Sequence, residues 1–162
     1  MQSHPFFLEL PTGEAFVGAR AQRLADLIAQ QGDEFLQAAG ITIPVRSVST
    51  LLYLHQEGPS SLVEIARALN EPHQLTAQRT SRLSSLSMLS SRADTKDRRR
   101  RMFSLTPKGK REATKVQARC KEALVVFDNL NSELNVNVAR LLDAAYDALL
   151  TRSMLARSTD HT

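Results

Sequence analysis

The segment Asp94-Thr95-Lys96-Asp97-Arg98-Arg99-Arg100-Arg101 sets four consecutive arginines behind two aspartates, and the alternation Met102-Phe103-Ser104-Leu105 follows directly. An apolar–polar period of two marks a strand with one buried face. The arginines therefore fall at the turn of a two-stranded ribbon, with strands over 89–92 and 100–105 and a turn over 93–99. A ribbon tipped with guanidinium groups suits the phosphate-lined minor groove of DNA. A charge run of this kind also suits a solvated loop, so its surroundings decide between the two.

The surroundings are basic as well. Between Arg67 and Arg111 twelve Lys and Arg residues face three acids, Glu71, Asp94 and Asp97, a local net charge of +9. The rest of the chain holds nine basic and fourteen acidic residues, a net of −5. Positive charge concentrated in one block creates a field that attracts polyanions, which scattered lysines do not. Each phosphate neutralised would release counterions, so binding is expected to weaken steeply with salt.

A chain of 162 residues is long enough for one domain with a sizeable core, or one domain with helical extensions. No apolar run approaches the ~20 residues that span a bilayer, and the start, Met1-Gln2-Ser3-His4-Pro5-Phe6-Phe7, lacks the pattern of a signal peptide. The single cysteine, Cys120, excludes an internal disulfide framework and suits a reducing cytoplasm, where the protein is expected to reside. His4, His55, His73 and His161 lack metal-ligand spacing, so no metal or other cofactor is expected. No P-loop, glycine-rich dinucleotide turn or Ser, His and Asp constellation points to an enzyme.

Helical periodicity covers most of the chain. Val17, Ala21, Leu24, Ile28 and Phe35 predict an amphipathic helix over 14–39, stopped by Gly40. A second helix over 45–57 carries Val48, Leu51, Leu52 and Leu54 and ends at Gly58-Pro59. Ser61-Leu62-Val63-Glu64 has the form of a capping box and opens a short third helix to about Leu69. Asn70-Glu71-Pro72 punctuates the chain before a fourth helix over 72–88. Two short helices joined by a tight turn and followed by a basic ribbon describe a winged helix-turn-helix.

Thr106 and Pro107 then start a long fifth helix with the stripe Val116, Cys120, Leu124, Phe127 and Leu130. A sixth, over 132–154, shows Leu134, Val138, Leu141, Ala145 and Leu149. On its stripe Cys120 is expected to be a buried structural thiol. Phe6-Phe7-Leu8-Glu9-Leu10 reads as an N-terminal strap. The fold class is therefore all-α with a small antiparallel β wing. Residues 1–43 form an N-terminal arm and helix, 44–105 the winged core and 106–162 the C-terminal helices of one integrated domain.

From Leu51 to Gly109 the chain resembles the MarR family of bacterial transcription regulators. The likeness rests on the entry Gly58-Pro59-Ser60-Ser61-Leu62-Val63-Glu64-Ile65-Ala66 and on Arg92-Ala93-Asp94-Thr95-Lys96-Asp97-Arg98-Arg99, which follows the family's R-x-D-x-x-D-R-R wing. It rests also on Leu105-Thr106-Pro107-Lys108-Gly109, which follows the L-T-x-x-G after the wing. The flanking helices fall where that family has its dimerisation helices.

The resemblance implies a homodimer that binds pseudo-palindromic double-stranded DNA, usually as a repressor released by a small-molecule effector or an oxidant. The first, fifth and sixth helices would bury their stripes across a two-fold interface. That arrangement puts two recognition helices about one DNA turn, roughly 34 Å, apart. By position the fourth helix resembles the major-groove reader, offering His73, Gln74, Gln78, Ser81 and Arg82 from the side opposite Thr76, Thr80 and Leu83. Gln pairs with adenine edges, and Arg82 suits a phosphate or a guanine.

Arg98 and Arg99 match the family's wing tip, one pairing with Asp94 or Asp97 and the other entering the minor groove. Arg100 and Arg101 exceed the family's usual charge and would add phosphate contacts. Two features depart from the family. Ser87 stands where a glycine is common, so the fourth helix is expected to run on or turn differently, and Arg79 occupies a usually apolar position, leaving a weak inner face. The family's sensing cysteines lie near the N-terminal helix, where this chain has none. The rival reading is a winged-helix protein-interaction module whose basic wing binds an acidic partner.

Overall fold

The computed structural model describes residues 5–6, 9–94 and 100–159. Its order is α1 (Val17–Gln37), α2 (Val48–Glu57), β1 (Ser60–Ser61), α3 (Leu62–Ala68), α4 (His73–Ser85), β2 (Leu89–Ala93), β3 (Arg101–Leu105), α5 (Pro107–Leu134), α6 (Val138–Thr151) and α7 (Met154–Ser158). Short 3-10 turns precede α1 at Gly13–Ala15 and α2 at Val45–Ser47. The fold is all-α with one small antiparallel sheet, ordered β1-β3-β2. The chain divides into two compact units, Met1–Arg119 and Cys120–Thr162.

Four helices end in the same way, and the ends explain the element boundaries. After α1, Gly40 takes φ +67°, its N–H donating to Gln37 O while Ile41 N donates to Leu36 O. This left-handed residue, with one short and one long backbone bond, is a Schellman stop. Asn70 (φ 50°) closes α3, Ser87 (φ 59°) closes α4 and Asn135 (φ 53°) closes α5 with the same pair of bonds. Asparagine tolerates this conformation through its short polar side chain, and serine does so at a cost. The fourth helix accordingly stops at Ser85, short of the residue 88 expected from sequence. Ser87 takes the left-handed conformation for which a glycine is the usual choice. Leu83 and Met88, the residues flanking that stop, are both fully buried and hold it.

The same chemistry corrects the C-terminal helices. A single sixth helix over 132–154 is broken by Asn135 in left-handed geometry, and α6 starts only at Val138. Asn137 caps it by accepting from Arg140 N at 2.9 Å, and Asn131 Oδ1 accepts from Val138 N at 2.9 Å. Ser153 then caps the separate α7.

The core of the first unit joins Leu36, Ile41, Ile43, Leu51, Leu54, Ile65, Leu83, Met88, Leu89, Ala113 and Val116. The start of α5 is driven hard against the turn after α4. Thr106 N donates to Met88 O at 2.9 Å, Thr106 Oγ1 donates to Ser87 O at 2.8 Å, and the same hydroxyl accepts from Gly109 N at 3.0 Å. Lys108 Nζ reaches Leu86 O at 2.9 Å. A Cβ at position 109 would lie 2.1 Å from Met88 O, so only glycine fits. That close approach is the physical content of the L-T-x-x-G pattern.

The inner face of α4 is polar and only partly satisfied, since buried Arg79 Nε and Glu71 Oε2 have no hydrogen-bond partner among the described residues. Buried Thr80 donates to Thr76 O at 2.9 Å, and Thr76 donates to Pro72 O at 3.4 Å. Arg79 folds against α2, hydrogen-bonding Glu71 as an ion pair and Ser49 Oγ at 3.3 Å. The weak inner face is thus replaced by a largely buried ion pair rather than by apolar packing.

The second unit behaves differently. No residue of α6 or α7 is buried, although Leu141, Leu142, Tyr146, Leu149 and Leu150 are apolar. Cys120 is exposed, against the expectation of a buried thiol, because the stripe of α5 meets core only as far as Val116. Partial burial still pushes its thiol pKa up, so it is not an activated thiolate. Phe6 of the expected strap is exposed, while Phe7 and Leu8 lie outside the described residues.

Two substitutions test these constraints by thermal or urea unfolding. Gly109→Ala is expected to destabilise the protein by about 3 kcal/mol or more, because backbone must move. Ser87→Gly is expected to stabilise it by about 0.5–1 kcal/mol through relief of the left-handed strain.

Candidate nucleic-acid interface

Helix α4 presents its outer face without obstruction. With Thr76, Thr80 and Leu83 buried inward, the 3.6-residue period turns His73, Gln74, Gln78, Ser81 and Arg82 outward, and all five are exposed. Gln74, Ala77, Gln78, Ser81, Arg82 and Ser85 line one shallow, open concavity. Four of the five helix residues expected from sequence share that surface, and His73 stands outside it at the first turn. Ala77 and Ser85 were not among the expected residues. Their signal was positional, since Ser85 continues the same face four residues after Ser81. A small residue at 77 leaves the face open between the two glutamines.

The ribbon is built as the alternation requires. Leu89 pairs with Leu105, Ser90 with Ser104, Ser91 with Phe103, Arg92 with Met102 and Ala93 with Arg101. Leu89, Phe103 and Leu105 share the face that packs on the core, and Asp94 N donates to Arg100 O at 2.9 Å to carry the pairing outward. Arg92 and Arg101 are exposed on the ribbon. Arg98 and Arg99 lie outside the described residues, as does Asp97, one of the two expected pairing partners; the other, Asp94, is described.

A third strand, β1, was not anticipated. Only two residues long, it pairs Ser60 with Phe103 and Ser61 with Met102. No periodicity can announce a strand of that length. Ser61 also caps α3 in the expected capping box: its Oγ accepts from Glu64 N, and Glu64 Oε2 accepts from Ser61 N at 2.7 Å and from Ser61 Oγ at 2.7 Å. The other oxygen, Oε1, accepts from the Arg100 guanidinium at 2.9 Å, and Arg100 also donates to Ser61 Oγ at 3.1 Å. The Ser61 N–H and then the Ser61 hydroxyl, with Arg100 adding less, lower the Glu64 pKa to about 2. The carboxylate is therefore charged throughout the physiological range.

Among the described residues no group of three or more His, Cys, Asp or Glu could hold a metal ion. Among them no helix is long and apolar enough to cross a membrane.

No protein-family model matches the sequence, and no curated protein does. Solved structures do match in fold. BpsR of Bordetella bronchiseptica, determined to explain how 6-hydroxynicotinic acid regulates its DNA binding, superposes with a TM-score of 0.65 at 21% identity, over 90% of this chain and 99% of that one. The MarR family transcription regulator SP03579 gives 0.61 at 18% identity, over 86% and 92% of the two chains. Overoxidised AbfR bound to DNA gives 0.57 at 23% identity, over 75% and 92%. The chain therefore has the winged helix-turn-helix fold of MarR-type regulators.

Proposed function

We propose that this protein is a sequence-specific DNA-binding transcription regulator of the MarR type, a cytoplasmic homodimer that represses by occupying a pseudo-palindromic operator. The observation that carries the reading is the outer face of α4. A helix whose inner side is locked into the core offers Gln74, Gln78, Ser81 and Arg82 together on one open concave surface. Amide and guanidinium groups on a rigid helix suit the donor and acceptor pattern of base edges in the major groove. Basic Arg92 and Arg101 on the neighbouring ribbon, with Arg98 and Arg99 of the sequence between its strands, supply the phosphate and minor-groove contacts that set register. A fold relative, AbfR, has been solved bound to DNA in its overoxidised and reduced forms, which supports the reading.

Dimerisation is supported by apolar surface that a single chain leaves in water. In α1, Leu24 and Leu27 are exposed, and in α5 so are Leu124, Val125, Val126 and Phe127. Helix α6 adds Leu141, Leu142, Tyr146, Leu149 and Leu150. Large exposed apolar residues recurring along a helix mark an interface rather than a monomer's exterior. A second copy related by a two-fold axis would cover it and present two α4 helices to one duplex. A small-molecule effector would act by favouring a dimer with wrongly spaced reading helices, which needs only a few kcal/mol of differential affinity. The fold relatives BpsR and PefR, described with 6-hydroxynicotinic acid and heme respectively, give the kind of ligand to screen.

Three outcomes are expected. Arg98→Ala with Arg99→Ala weakens duplex binding and flattens the plot of log affinity against log salt, by about 0.9 for each phosphate no longer neutralised. Gln78→Ala changes the ranking of duplexes at one base position, by about 1–3 kcal/mol of discrimination, and leaves the salt slope alone. Unchanged relative affinities would remove Gln78 as a reader. Leu142→Glu with Leu149→Glu converts the dimer to a monomer in sedimentation equilibrium, and a wild-type monomer would contradict the dimeric reading.

A further inference from the structure

We propose that Arg100 and Glu64 form a latch that positions the wing, so that Arg100 acts through Glu64 and not by touching DNA. The inference rests on the reading of the chain as a DNA-binding regulator, and it separates one arginine of the four-residue run from the others. Arg100 holds the turn end of the ribbon twice. Its carbonyl accepts from Asp94 N at 2.9 Å, and its guanidinium donates to Glu64 Oε1 at 2.9 Å and to Ser61 Oγ at 3.1 Å. Arg101, by contrast, is exposed and has no ion-pair partner among the described residues.

The two oxygens of Glu64 divide their work. Oε2 is occupied by Ser61 N and Oγ, which fixes the first turn of α3, and Oε1 is left for the wing. Ser61 lies in β1 and pairs with Met102 of β3, two residues beyond Arg100. One carboxylate thus ties together the helix-turn-helix entry, the third strand and the ribbon. Both partners are about half-exposed, at 44% and 45%, so the ion pair adds little to global stability. Its effect is geometric. A two-stranded ribbon is marginal by itself, and here a two-residue strand is its sole further sheet neighbour among the described residues. The latch then sets the angle at which the ribbon leaves the core.

The test uses the full-length protein and a mixed-sequence 30-base-pair duplex, with Arg100→Gln, Glu64→Gln and the double variant compared across salt. Glutamine at 64 keeps the capping box, because a Gln side chain also reaches the N-cap N–H, so α3 is retained. Each single variant is expected to lower affinity roughly threefold to tenfold with no change in salt slope. The double variant should bind no more weakly than the weaker single, as expected of one coupled pair. Arg100→Lys should recover part of the loss. In the free protein, amide exchange at Asp94 and Met102 should accelerate in both singles. Three results would overturn the latch: a slope flattened by about 0.9 per protomer in Arg100→Gln, tighter binding by Glu64→Gln, or exchange and affinity that do not move. If the wild type binds no duplex while exchange responds as stated, the latch stands and the regulatory reading fails.

Discussion

Met88 O sits where a side chain at position 109 would have to be, 2.1 Å from an added Cβ, and much of the winged core is organised around that approach. The turn after α4 and the first turn of α5 are pressed together there and joined by Thr106, whose hydroxyl bridges Ser87 O and Gly109 N. Three consequences follow from one close approach. The end of α4 is fixed because Ser87 must turn left-handed to bring Met88 inward. β2 begins at the next residue, and β3 ends at Leu105 beside Thr106. Helix α4 and the ribbon are therefore fastened to the same few backbone atoms, and neither can tilt without the other.

On this base the surface divides by chemistry. Residues that face inward pair with one another, as Thr80 does with Thr76 O and Arg79 with Glu71, although Arg79 Nε and Glu71 Oε2 stay buried without a partner among the described residues. Residues that face outward on α4 keep their hydrogen-bonding groups available on an open surface. Rigid support beneath and unspent donors and acceptors above are what base recognition requires, since a flexible reader would lose ordering entropy on each contact. The apolar residues of α1, α5 and α6 answer a different need. On the proposed reading they stay uncovered in one chain because the surface that fits them belongs to a second copy.

Much of this was legible in the sequence, and the gaps have physical causes. Periodicity gave the helices, and alternation gave β2 and β3 to within a residue or two. The capping box at Ser61 and Glu64 and the stop at Gly40 formed as written, because each is decided within a few residues. Ser87 was misleading because backbone geometry there is imposed by buried Leu83 and Met88, not by local preference. Asn135 and Asn137 hid a helix break, since asparagine inside an apolar period looks like an ordinary polar position. Cys120 lies on the right stripe, but the stripe runs past the end of the core. In the site, the α4 face could be drawn from helical geometry alone. The engagement of Arg100 with Glu64 could not, because thirty-six residues separate them and only the sheet brings them together.

On the proposed reading, a polar helix face and a basic ribbon, fixed to one another, read DNA sequence as a symmetric pair. Selection of bound sequences from a random duplex pool, at low and at near-physiological salt, decides whether they do. Recovery of a two-fold symmetric motif that persists at the higher salt is the predicted result. Recovery of no motif, with binding abolished as salt rises, would contradict it and leave a basic surface suited to an acidic protein partner.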